Sequence, residues 1–204
     1  VGVYKFSASG SLKTGRSTYT SMLAGNSVFI DPSMDLISTT ILSSNQASVS
    51  FNVTSLSSTY KHLQVRAVTR DTATINGTAG VWFWANSDTG SNYSWHRIKG
   101  GNGSIVSENS VSTTRILAGV GARNGDTANI FGATIFDILD FANTSKNKTV
   151  KGLSGNNSSV LLSGSEAELL SGAWASTAAI TSVNISADNL FMAGSRFSLY
   201  GIRG

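Results

Sequence analysis

From Asp35 onward, apolar and polar residues alternate in short runs separated by polar turns. Val49, Phe51 and Val53 alternate with Ser50 and Asn52, and Leu63, Val65 and Ala67 alternate with Gln64, Arg66 and Val68. Successive side chains of a strand point to opposite faces, so each run predicts a strand with one buried face. The β-branched run 36–42 and the segments 81–85, 115–118, 129–141, 148–153, 160–162, 180–187 and 196–202 extend the series. Asn76-Gly77, Thr89-Gly90, Gly100-Gly101-Asn102-Gly103 and Asn124-Gly125-Asp126 fall between them as turn signals. This spacing predicts an all-β fold, a jelly-roll-like β-sandwich over residues 35–204. One stretch departs from it: Ser165-Glu166-Ala167-Glu168, ahead of Leu169-Leu170, has the form of a helix capping box and predicts a single helical turn.

Residues 1–34 follow a different pattern. Lys5, Lys13 and Arg16 are spread among Ser, Gly and Thr, with isolated apolar anchors at Tyr4, Phe6, Tyr19, Met22 and Leu23. Tyr19, Met22 and Leu23 have helical spacing, but the segment has too few apolar residues for a core of its own. It predicts an extended N-terminal attachment arm that those five residues anchor in a partner's groove. Pro32, the one proline of the chain, marks its junction with the sandwich.

Composition narrows the function classes. Charged residues are only 13% of the 204, so Ser, Thr, Asn and Gly dominate the polar positions and the surface is hydroxyl- and amide-rich. The net charge of +4 raises the question of nucleic acid, yet the basic residues are scattered. Their densest stretch, Lys146, Lys148 and Lys151, reads as a polar turn, and no nucleic-acid partner is expected. There is no cysteine, which excludes disulfides and thiol chemistry. No apolar run approaches the length of a membrane span, so membrane insertion is not expected and synthesis in the cytoplasm is.

Catalytic constellations are missing from the sequence. The two imidazoles, His62 and His96, lie in no catalytic motif. The stretch 119–125 misses the dinucleotide-binding glycine spacing by one residue. Asp137 and Asp140 are three apart in a strand-like run, which turns them to opposite faces instead of onto one glycosidic bond. The expectation is a protein that is not an enzyme and uses no cofactor or metal.

The most distinctive local feature is aromatic. Trp82 and Trp84 share one face of a predicted strand, Phe83 takes the other, and Tyr93, Trp95 and His96 follow after a turn. This predicts a hairpin whose Trp82, Trp84, Tyr93, Trp95 and His96 either contact glycans or a subunit interface, or fill the core.

Several stretches resemble, together, a family of tailed-bacteriophage virion proteins. Residues 58–66, Ser-Thr-Tyr-Lys-His-Leu-Gln-Val-Arg, are similar to the Tyr-x-His-Leu-Gln-apolar-Arg strand of that family. Residues 179–182 and the ending 194–202, Gly-Ser-Arg-Phe-Ser-Leu-Tyr-Gly-Ile, resemble its closing strands, and residues 22–26 resemble an attachment segment of some members. The resemblance implies a structural protein of the virion, with other virion proteins and copies of itself as partners. A tail-fibre or tail-tip module touching host surface glycans is the leading form of that expectation. A head decoration protein and a stand-alone carbohydrate-binding module are the alternatives.

Overall fold

A computed structural model describes residues 33–101, 103–157 and 165–204. The arm anchors Tyr4, Phe6, Tyr19, Met22 and Leu23 and the predicted strand 160–162 lie outside the described residues. Those described carry twelve strands: β1 Met34–Ile41, β2 Gln46–Asn52, β3 His62–Asp71, β4 Thr78–Ala85, β5 Tyr93–Gly101, β6 Ser104–Thr113, β7 Ile116–Arg123, β8 Gly132–Leu139, β9 Lys148–Asn156, β10 Glu166–Trp174, β11 Ser182–Phe191 and β12 Arg196–Ile202. A short 3-10 turn, Thr54–Ser58, links β2 to β3. The large sheet runs β1-β12-β3-β8-β9-β10-β5-β6, with every neighbouring pair antiparallel. The small sheet runs β2-β11-β4-β7, and the last two residues of β3, Arg70 and Asp71, pair with β7 in parallel and so join the two sheets.

Alternation decides which face is buried. Leu63, Val65 and Ala67 of β3, Phe136 and Ile138 of β8, Val150 of β9 and Phe197 and Leu199 of β12 turn inward from the large sheet. They meet Val49 and Phe51 of β2, Val81 and Phe83 of β4, Ile116 and Ala118 of β7, and Val183 and Ile185 of β11. Phe83 and Phe136 touch across the interior at 5.9 Å, and Phe191 meets Phe197 edge-on at 4.8 Å. The all-β sandwich read from the sequence is what the chain forms.

Two expectations are corrected. The capping-box stretch is no helical turn: Glu166 begins β10, and its carboxylate serves cross-strand ion pairing instead of capping a helix. Trp82 and Trp84 do not share a hairpin with Tyr93 and Trp95, because β4 belongs to the small sheet and β5 to the large one.

The two stretches that carry the virion-protein resemblance are neighbours, for β3 pairs with β12 along its length. Gly201 lies under the Tyr60 ring, where an added Cβ would stand 2.5 Å from a ring carbon. Arg203 lies over Tyr60, and the Tyr60 hydroxyl donates to Asp35 at 2.7 Å. Arg66 lies over Tyr200, and Gly194 takes a positive φ of 87° that favours glycine. Gly201→Ala should therefore lower stability by about 1–3 kcal/mol through overpacking. Urea unfolding of the two proteins checks this, and an unchanged midpoint would show that the Tyr60 ring is free to swing away.

Candidate functional site

Basic side chains that look like surface charge in the sequence are partly structural. Lys148 is fully buried and its Nζ donates to the carbonyls of Asn143, Lys146 and Thr177 at 2.6, 2.9 and 3.3 Å. Burial pulls its pKa below the usual lysine range. Arg70, also buried, donates to the carbonyls of Thr127, Ile130, Asn124 and Asp126 and fixes the loop between β7 and β8. The basic stretch noted in the sequence is thus broken by a lysine facing inward.

The histidines are separated. His62, at the start of β3, accepts the Asp140 amide at Nδ1, 2.9 Å away. His96 is exposed on β5, on the face opposite Trp95 and in register with Ser171 and Asn109. Asp137 accepts from Gln64 at 2.7 Å, while Asp140 pairs with Lys146 at 3.2 Å. Among the described residues, no three His, Cys, Asp or Glu side chains group as metal ligands, and no helix is long and apolar enough to cross a membrane.

The aromatic residues divide between core and corner. Tyr93 is a core residue, stacked on Trp174 at 6.3 Å, with its hydroxyl donating to the Asp88 carbonyl. Burial pushes its pKa up to about 12. Trp174 Nε1 in turn donates to Asp88 at 2.7 Å, which lowers the Asp88 pKa. Trp84 is half-buried against the core. Trp82 of β4 and Trp95 of β5 meet edge-on, 6.1 Å apart. Trp82 Nε1 donates to Asp188 at 2.7 Å, and Arg115 covers its ring at 4.7 Å while donating to Ser186. One ring face of Trp82 is therefore occupied by a guanidinium.

Next to this corner lies a cluster of charges. Arg97 of β5 bridges Glu108 of β6 at 2.6 Å and Glu168 of β10 at 2.7 Å. Lys99 reaches Glu108 at 3.2 Å and Glu166 at 3.8 Å. Glu166 and Glu168, two apart on one strand, share a face, and the Glu168 side chain has no exposure at all. Burial first, and a hydrogen bond shared with Glu166 second, push the Glu168 pKa up to about 7, with Arg97 pulling the other way.

The outer face of the large sheet is a second candidate site, one the sequence reading missed. Register places Ile98 of β5, Leu169 of β10, Leu153 of β9 and Ile135 of β8 side by side on four adjacent strands. They are 54%, 56%, 60% and 40% exposed. Two residues along the strands in one direction, Gly100, Ala167, Gly155 and Ala133 form a small-residue row. In the other direction, His96, Ser171, Lys151 and Asp137 form a polar one. Single exposed aliphatics are ordinary; here four on adjacent strands join into one continuous apolar strip, a kind of surface that a binding partner can bury. Their signal in the sequence was faint: these residues occupy the positions of their strands that alternation assigns to solvent, and only the register unites them.

The sequence matches no protein-family profile and no curated protein. Among solved structures, the chain is similar to the carbohydrate-binding module CBM40 of the Ruminococcus gnavus IT-sialidase, bound to alpha2,6 sialyllactose. Identity is 8% and the TM-score 0.28, over 81% of this chain and 92% of that one.

Proposed function

We propose that this chain is a non-catalytic structural component of a tailed-phage particle, of the tail-fibre or tail-tip kind, held by contacts with other virion proteins and copies of itself. The exposed aliphatic row on β5, β10, β9 and β8 carries the reading, since a sheet face of this character gains most from being covered. The similarity of residues 58–66 and 194–202 to tailed-phage virion proteins supports it and supplies the setting. In this chain those stretches are spent on internal packing: Leu63, Val65, Phe197 and Leu199 are core residues. Mass spectrometry of purified particles should find the chain at a fixed copy number relative to the major virion proteins. Its absence from particles would overturn the proposal.

A second reading, glycan contact, rests on the Trp82 and Trp95 corner with Arg115 and Asp188 beside it. On that reading Trp95→Ala weakens binding to host cells by tenfold or more, on the order of one stacked aromatic, while the far-ultraviolet spectrum is unchanged. Cell binding equal to that of the unaltered protein would exclude the corner as a glycan site.

A further inference from the structure

We infer that the partner covering the outer face of the large sheet is a second copy of this chain, packed face to face about a twofold axis running along the strands between β9 and β10. The inference rests on the assembly reading and names its occupant. Such an axis keeps each row at its own level and reverses the order of the strands across it. It sets Ile98 over the partner copy's equivalent of Ile135, and Leu169 over that of Leu153, so the aliphatic row meets itself aliphatic on aliphatic. The row of Gly and Ala likewise meets itself and allows close approach there. In the polar row the same operation sets His96 over the equivalent of Asp137, a hydrogen-bond donor against a carboxylate, twice per dimer. Asp137 is already oriented by the 2.7 Å hydrogen bond from Gln64. This self-complementarity is what an isologous contact requires.

Strands kept nearly aligned across the axis match the aligned packing of sheet on sheet, with the inner side chains interdigitating. The size suits a weak, reversible contact. Four strands spaced about 4.8 Å, and three rows about 7 Å apart, give a patch on the order of 400 Å² in projection. Two such patches come to about 800 Å² in projection, below the size of a standard specific interface, so a weak, reversible dimer no tighter than about micromolar is expected.

Sedimentation velocity of the full chain, from low to high micromolar, tests this. The unaltered protein should shift from monomer to dimer with concentration. Leu153→Asp, at an exposed position, should stay monomeric with its thermal unfolding unchanged. His96→Asp and Asp137→His should each weaken the dimer by tenfold or more, and the double variant, which restores the pairing with the roles exchanged, should recover it. A chain monomeric throughout, or a dimer indifferent to Leu153→Asp, overturns the second copy as the occupant. Failure of the double variant to recover overturns the twofold register. A monomeric chain whose outer face is nevertheless covered in particles would sink this inference and leave the assembly reading standing.

Discussion

Replacing Arg70 with methionine is expected to remove about 4 kcal/mol of folding stability. The guanidinium is buried and satisfies four carbonyls, those of Thr127, Ile130, Asn124 and Asp126, at 2.7 to 3.1 Å. Hydrogen bonds from a charged donor contribute about 1.5–3 kcal/mol each, and a buried acceptor left unpaired costs about 1–3 kcal/mol. Those terms do not add fully, because the loop can open and let water reach the freed carbonyls, which holds the estimate to about 4 kcal/mol. Since Arg70 stands where β3 joins the small sheet, amide exchange should accelerate first over residues 124–130. Denaturant unfolding with exchange measurements checks both statements. A loss below about 1 kcal/mol would mean that the loop is held by something other than Arg70.

The stability of the domain should fall as pH rises from about 4.5 to about 7, and Glu168 is the reason. Its carboxyl has a pKa raised from 4.5 to about 7 in the fold. Within that window the unfolded chain has released the proton while the folded chain keeps it, so rising pH favours unfolding. Below the window the contribution is complete; above about 7 it is gone. At 1.36 kcal/mol per unit the shift corresponds to a loss of roughly 3 kcal/mol, which screening by solvent at half-buried Lys99 and Glu166 reduces to about 2 kcal/mol. Asp35, Asp88, Glu108 and Asp140 have lowered pKa values and act in the opposite sense, losing their stabilisation as pH drops below the usual carboxylate range. Stability is therefore greatest near the lower end of that window, where Glu168 still keeps its proton and the carboxylates with lowered pKa values are ionised. Glu168→Gln, which keeps the shape of the protonated acid, should flatten the decline toward neutral pH. The same slope in that variant would place the titration elsewhere.

Strands with one wet and one dry face were legible in the sequence, and β2, β3, β4 and β12 fall where the alternation put them. The strands that escaped are those in which burial does not follow hydrophobicity. β6 is an edge strand with no fully buried residue, so Ser104–Thr113 shows no alternation to read. β10 turns Glu166 and Glu168 inward, where Arg97 and Lys99 of β5 answer them, and paired charges in an interior look like solvent residues in a sequence. The aromatic residues were legible as special but not as a site. Whether Tyr93 faces the core or solvent depends on its sheet, and nothing local to residues 82–96 says that β5 leaves the sheet of β4. The outer aliphatic row was invisible for a related reason: its four members come from β5, β8, β9 and β10, and only the register brings them together.

The most direct test of the assembly reading is hydroxyl-radical footprinting of Ile98, Leu153 and Leu169, comparing the dilute isolated chain with the chain in purified phage particles. All three should be readily oxidised in the isolated chain and strongly protected in the particle, with exposed Ile75, outside the row, oxidised alike in both. Equal oxidation of the row in the two states would contradict it, because the outer face of the large sheet would then be bare in the particle.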